Sequence, residues 1–170
     1  ISGDFSIPIS DSGLLTIGGG KWTTYRHMAE EAVNKAAEFA ELAGSPCVTR
    51  DLRIHGWDEH AARFGERAHY GSDAIAIEDL IRIEPDLGAR LHPSFAATEA
   101  EVIWAVRHEM ARTVEDVLSR RTRCLLLDAK AANEVAPRVA EIVARELRRD
   151  ERWRHRQEAT FAALARGYLP

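Results

Sequence analysis

The chain begins with a short irregular stretch, after which apolar residues recur every three to four positions almost to its end. Residues 14–17 form an apolar, partly β-branched run that is typical of a buried strand. Three glycines follow at 18–20, and a helical pattern runs from Tyr25 until Gly44 interrupts it. Residues 1–44 are therefore predicted to form a strand, a glycine turn and a helix.

From residue 58 onwards the apolar spacing is helical. The pattern predicts helices at 58–69, 73–83, 98–110, 114–121, 129–148 and 151–166. Pro137 lies inside the fifth pattern and removes one amide donor, so a kink or a break is expected there. Six amphipathic helices joined by short loops indicate a compact helical domain.

Three of these helices have recognisable start signals. Thr98 stands three residues before Glu101, which is the spacing of a capping box. Thr113 and Asp116 repeat that spacing, and Asp128 is placed to cap the long helix.

The predicted fold class is therefore mainly α, with two parts. Residues 45–170 would be an α-helical domain of about six helices, and residues 1–44 the strand–glycine turn–helix end of an α/β domain. A single buried strand is not stable without partner strands, so the remaining sheet is expected upstream. The start at Ile1, without an initiator Met, agrees with a chain cut from a longer one.

Composition and charge limit the kinds of function that the sequence can support. Of the 170 residues, 45% are hydrophobic and the net charge is −4, which fits a soluble protein and gives no basic face for nucleic acid. Cys47 and Cys124 form no C-x-x-C motif and are expected to be reduced, in a cytosol-facing compartment. The seven histidines are scattered, so no metal site is predicted. No apolar run is long enough to span a bilayer.

Arginines form two clusters, one at 120–123 and one at 145–156. Interleaved acidic residues favour a solvated face with salt bridges. Two alternatives stay open. One is contact with an anionic lipid surface, and the other is that Arg120, Arg121 and Arg123 hold a buried acid such as Asp116 or a neighbouring domain.

One segment, Gly13-Leu-Leu-Thr-Ile-Gly-Gly-Gly-Lys-Trp-Thr-Thr-Tyr-Arg26, carries the candidate chemistry. A strand that delivers the chain to a glycine turn and a helix start presents free amides and the positive end of the helix dipole. Glycines allow close approach, and Lys21 adds a full positive charge at the same place. The pattern predicts a site for an anion, or for a group that becomes anionic.

Two other interpretations compete for this segment. A nucleotide-binding P-loop requires G-x-x-x-x-G-K-[ST], and this segment departs from that motif twice, with Leu15 in place of the first glycine and Trp22 after Lys21. A glycine-rich helix start with a solvated lysine remains open on the pattern alone.

The segment from Gly13 to Val33 resembles the one that closes the flavin domain of FAD-dependent glycerol-3-phosphate dehydrogenases. The later stretch Glu109-Met-Ala-Arg-Thr-Val-Glu-Asp-Val-Leu-Ser-Arg-Arg-Thr-Arg123 is similar to the C-terminal helical domain of that family. The two motifs occur in family order, and the resemblance covers roughly residues 13–150.

The resemblance implies oxidation of sn-glycerol 3-phosphate to dihydroxyacetone phosphate, with electrons passed through FAD to quinone. It implies that Gly19, Gly20, Lys21, Trp22 and Thr23 contact the flavin, and that Lys21 also approaches the substrate phosphate. Reduction of the ring leaves negative charge at N1 and the C2 carbonyl. A helix N-terminus and a cation there would stabilise the reduced form.

The resemblance also sets the expected partners. They are the N-terminal FAD-binding domain of the same chain, glycerol 3-phosphate and quinone; a homodimer and peripheral contact with the inner face of the cell membrane stay open. No G-x-G-x-x-G occurs and the catalytic residues are unknown, so this fragment alone is expected to bind little FAD and to be inactive. The alternative is a free-standing helical interaction module.

Overall fold

The computed structural model describes residues 4–169, so residues 1–3 and 170 of the two predicted domains lie outside the described part. The chain separates into two compact units, one ending at His55 and the other beginning at Gly56. The assignment of residues 1–44 to the end of a flavin domain stays a prediction.

The first unit contains a small sheet and one long helix. Strand β1 (Phe5–Ser6) pairs antiparallel with β2 (Gly18–Gly19), with Phe5 opposite Gly19. A 3-10 turn at Trp22–Thr24 then leads into α1 (Tyr25–Phe39). The Lys35 ammonium donates to the Ile7 carbonyl at 2.6 Å and joins the helix to the strand segment.

The expected buried strand at residues 14–17 is wrong for this chain. Leu14 is 67% exposed and Ile17 46% exposed, and Leu15 makes only an isolated bridge to Ile9. Among the described residues, the strand segment beside them is too short to cover an apolar face, so the run has no sheet in which to be buried.

The second unit is helical, which confirms the mainly α fold class. Its α-helices are α2 (Asp73–Ile83), α3 (Glu99–His108), α4 (Cys124–Leu127), α5 (Ala129–Leu147) and α6 (Glu151–Arg166). The predicted helices at 73–83, 98–110, 129–148 and 151–166 are thereby confirmed to within about two residues.

Two predicted helices take other forms. The segment predicted at 58–69 forms 3-10 turns at Ala61–Tyr70, because Gly65 adopts φ 57° and ψ −120° and interrupts any helix. The segment predicted at 114–121 ends in a π-helix at Asp116–Arg121, where the Thr122 amide donates to the Val117 carbonyl five residues back at 2.9 Å. A short 3-10 helix at Pro85–Gly88 and the single turn of α4 were not predicted.

Helix α5 continues without a break through Pro137. Proline leaves the carbonyl four residues earlier, that of Asn133, without its helical donor. Both Asn133 and Pro137 lie on the exposed side of the helix, where water can satisfy that carbonyl. The sequence predicted either a kink or a break at Pro137, and the continuous helix excludes the break.

Helix α3 lies at the centre of the core, with every residue from Ala100 to Val106 buried. The largest fully buried side chains of the core include Ile103 on α3 itself and Phe95, Ile77, Leu118, Leu125 and Phe161 from other segments. Helix α5 packs against α3 and α6, and more than half of its buried residues are alanines, among them Ala131, Ala132, Ala136, Ala140 and Ala144. Because alanine projects little beyond the backbone, these helices can approach closely.

Both ends of α3 are capped by side chains. The Glu101 carboxylate accepts from the Thr98 backbone N–H at 2.8 Å and from its hydroxyl at 2.9 Å, as the predicted capping pair requires. At the other end Arg112 donates to the Val106 carbonyl at 3.1 Å, and Arg121 donates to the Glu109 carbonyl at 3.1 Å. The otherwise unpaired last carbonyls of α3 thus meet cations, which also suits the helix dipole.

The other two predicted caps are also present. Asp116 accepts from the backbone amides of Arg112 and Thr113, each at 3.0 Å, and from Arg120 at 3.1 Å. Burial opposes ionisation of Asp116, but these donors outweigh it and hold its pKa below the ordinary value. Within the first arginine cluster, Arg120 therefore pairs with a partly buried acid. Asp128 accepts from the Ala131 amide at 3.0 Å and starts α5.

Candidate functional site

The five predicted site residues, 19–23, lie together in the first unit at the bend between β2 and α1. Gly19 and Gly20 have φ values of +83° and +85°, in the left-handed region that favours glycine. Lys21 then returns to extended backbone, and the Thr24 amide and hydroxyl both donate to its carbonyl at 3.0 Å. These bonds close the turn from which the helix begins.

Neither glycine could carry a side chain without moving its neighbours. A Cβ on Gly19 would lie 2.7 Å from the Asp4 carbonyl oxygen, and one on Gly20 would overlap the Met28 thioether. The positive φ at both positions and the Asp4 carbonyl beside Gly19 therefore favour glycine here, independently of any ligand, whereas the flexible Met28 side chain could move away from a substituted Gly20.

We expect Gly19→Ala to destabilise the bend by about 1–3 kcal/mol, because it combines an unfavourable φ with a clash against backbone. Faster amide hydrogen exchange over residues 18–30 would report the loss. Gly44→Ala is the matched control, since a Cβ at Gly44 meets no atom within 4 Å and φ there is not positive. Equal exchange in the two variants would contradict the geometry of the bend.

The bend presents a cation, free amides and a flat ring to solvent. The amides of Trp22 and Thr23 lie in the first turn, where backbone amides have no acceptor within the helix. Lys21 is exposed and has no acidic partner among residues 4–169. The Trp22 ring is 84% exposed and stacks on Tyr25, with ring centroids 5.2 Å apart. This set of groups suits a planar anionic ligand; whether the five residues contact flavin stays a prediction.

Arg26 ties the start of α1 to the connector that follows the helix. Its Nη1 donates to Glu30 at 2.7 Å and to the Thr49 hydroxyl at 3.3 Å. The hydrogen bond with Glu30 raises the pKa of Arg26, and the same bond lowers the pKa of Glu30. Their spacing of four residues signals the ion pair in the sequence. No pattern signals Thr49, which lies 23 residues away.

The second unit contains a buried polar cluster that sequence analysis missed. Glu101 is 5% exposed and lies 3.9 Å from the Arg67 Nε. It borders a cavity of 100 Å³ that Cys124 also lines. Burial, together with the nearby Glu101 carboxylate, raises the pKa of Tyr70, so this phenol stays neutral. Burial also raises the pKa of the Cys124 thiol, which makes it a poor nucleophile.

The described residues form neither a metal-binding group nor a helix that could span a membrane. No group of three or more His, Cys, Asp or Glu side chains is placed to hold a metal ion. None of the helices between residues 4 and 169 combines the length and apolar character needed to cross a bilayer.

Comparisons with known proteins bear on both units. Residues 14–154 match the family model of the C-terminal domain of alpha-glycerophosphate oxidase. The chain is 36% identical to the mitochondrial glycerol-3-phosphate dehydrogenase of Homo sapiens, over 89% of this chain and 23% of that protein. It is 37% identical to the same-named protein of Mus musculus, over 86% of this chain and 23% of the relative.

A third relative has a similar name. The chain is 38% identical to a probable mitochondrial glycerol-3-phosphate dehydrogenase of Caenorhabditis elegans, over 83% of this chain and 22% of that protein. The chain therefore spans about a quarter of the length of the curated relatives it matches.

Proposed function

The chain belongs to the family of the C-terminal domain of alpha-glycerophosphate oxidase, and we propose that it is the C-terminal part of an FAD-dependent glycerol-3-phosphate dehydrogenase. The complete protein would oxidise sn-glycerol 3-phosphate to dihydroxyacetone phosphate and pass the electrons to quinone. The observation that carries the proposal is the family match itself, which begins at residue 14, crosses the glycine bend and continues through most of the helical unit.

The residues of the bend fit the cofactor that this activity needs. Gly18 and Gly19 leave an exposed edge without side chains, and Lys21 and two helix-start amides supply positive charge beside it. The exposed Trp22 ring adds a flat apolar surface. FAD, when bound, supplies the two-electron redox chemistry that oxidation of an alcohol requires.

Each of these groups has a separate role in the proposal. The Lys21 ammonium would balance negative charge on the ring edge and on the substrate phosphate. The amides of Trp22 and Thr23 would donate hydrogen bonds to the same charge, and the turn that Thr24 closes holds them in position. Trp22 would exclude water from one side of a bound ring, and the lower local dielectric there would strengthen these interactions.

The helical unit has a supporting role in this proposal. Its own core is complete, and it would pack beside the N-terminal FAD-binding domain of the full-length chain. Quinone dissolves in the bilayer, so the protein would work as a peripheral protein at the inner face of the cell membrane. A homodimer belongs to the same proposal.

The direct test uses the full-length protein. Anaerobic titration with sn-glycerol 3-phosphate should bleach the visible absorbance of the bound flavin, and a quinone analogue should restore it. Glycerol without phosphate is the control and should leave the absorbance unchanged. A flavin that sn-glycerol 3-phosphate does not bleach would refute the proposed activity.

The isolated 170-residue chain should purify without flavin and should show no dehydrogenase activity. It contributes a single edge of the cofactor site and contains no G-x-G-x-x-G turn for the pyrophosphate. Absorbance spectra of the purified chain, with and without added FAD, are the measurement. Stoichiometric flavin in this chain would show that the site does not depend on an upstream domain.

The self-contained core of the second unit favours one alternative, a free-standing helical interaction module without catalytic activity. The titration separates the two, since such a module would carry no flavin in any form of the protein.

A further inference from the structure

The first unit contains an apolar groove beside the glycine bend. Its floor is one face of α1, where Tyr25, Ala29 and Val33 recur every four residues. Its wall is the connector at residues 45–54, which contributes Val48, Leu52 and Ile54 among others. The groove has a volume of 680 Å³, and all of its lining residues belong to this unit.

The side chains of this groove are unusually exposed for their type. Val33 is 67%, Val48 75% and Ile54 70% exposed, whereas Ile7 and Ala32 are the only buried apolar residues of this unit among those described. Soluble proteins rarely leave so many large apolar side chains in one continuous patch unless another surface covers it.

The groove is held in shape by polar contacts along its rim. Arg26 bonds both to Glu30 on the floor helix and to Thr49 on the wall, at 2.7 and 3.3 Å. Arg26 therefore links the helix that forms the floor to the connector that forms the wall.

The groove is continuous with the candidate site. Tyr25 lines the groove, and its ring stacks on Trp22, which directly follows Lys21. A surface that covered the groove as far as Tyr25 would therefore lie next to Trp22.

We propose that the groove is the seat of the upstream FAD-binding domain of the full-length polypeptide, which lays an apolar element against α1 and the connector. This inference rests on the proposed function. Two observations in the structure support it, namely the exposed apolar surface and its continuity with the bend. The third is that about three quarters of each relative's sequence lies outside the region that this chain matches.

Cys47 provides a built-in probe, because it lines the groove and is exposed, whereas Cys124 is buried in the helical unit. The experiment measures the rate of maleimide labelling of each cysteine by mass spectrometry, in the 170-residue chain and in the full-length protein. Cys47 should label at least about tenfold more slowly in the full-length protein, because a covered thiol reacts only during local opening. The labelling rate of Cys124 should be the same in both.

The outcomes separate this inference from the proposed function. Equal Cys47 rates in the two proteins overturn the docking surface, even if sn-glycerol 3-phosphate bleaches the flavin. Slow Cys47 labelling without bleaching supports the docking surface and refutes the activity. If Cys47 labelling in the isolated chain slows as its concentration rises, a second copy covers the groove and the inference is overturned.

A pair of variants tests the same surface through flavin content. Val33→Asp places a charge in the groove and should lower the flavin content of the full-length protein at least about tenfold. Ile83→Asp is the matched control, since Ile83 is 79% exposed on α2, outside the groove. Equal flavin content in the two variants overturns the inference.

Discussion

Replacing Lys21 with methionine in the full-length protein is expected to lower kcat/KM for sn-glycerol 3-phosphate by about 100- to 1,000-fold, the usual effect of removing one preorganised electrostatic group. Methionine retains most of the side-chain length and removes the charge. The reduction potential of the flavin should fall as well, because the reduced ring loses a neighbouring cation. Steady-state kinetics and a redox titration measure the two effects.

Two further lysine variants serve as controls for the Lys21→Met result. Lys21→Arg keeps the charge and should retain more activity than the methionine variant, although the guanidinium has a different shape. Lys130→Met removes a charge from the exposed side of α5 and should leave kinetics and potential unchanged. If Lys21→Met behaves like Lys130→Met, Lys21 does not belong to the site.

Truncating Phe161 to alanine is expected to destabilise the helical unit by about 3–5 kcal/mol, the usual range for a fully buried aromatic side chain. Phe161 lies on α6, is 1% exposed and belongs to the main core cluster. Its removal takes away apolar contact and leaves a cavity that rigid helices fill only in part. Urea unfolding followed by far-ultraviolet circular dichroism gives the change in the free energy of unfolding.

Phe39→Ala is the matched control for Phe161→Ala. Phe39 is the last residue of α1 and is 58% exposed, so its truncation should change the free energy of unfolding by less than about 1 kcal/mol. Similar losses in the two variants would mean that α6 does not pack as described.

Features set by neighbouring residues could be predicted from the sequence. The caps at Thr98, Asp116 and Asp128 depend on partners three or four residues away, and all three are present. The long helices also follow their apolar spacing. Three consecutive glycines before a helical pattern also predict the bend, although residues 14–17 do not form the expected buried strand and Gly18–Gly19 themselves form β2.

Features set by distant residues could not be predicted. The Arg26–Thr49 bond and the pairing of Glu101 with Arg67 join segments 23 and 34 residues apart without a motif. The π-helix at Asp116–Arg121 differs from an α-helix by one residue per turn, which apolar spacing over six residues does not resolve. The exposure of residues 14–17 depends on whether a sheet is present to receive them, and the run itself carries no such information.

The buried alanines of α5 tolerate smaller side chains better than larger ones. Shortening a side chain at Ala132 or Ala140 can remove only one methyl group, whereas any larger residue there must push neighbouring helices apart. Alanine also loses no rotamer freedom when it is enclosed, so burying these side chains meets little entropic opposition. Among descendants of this chain, the spacing between helices should therefore change less than the identities of the bulky residues that border it.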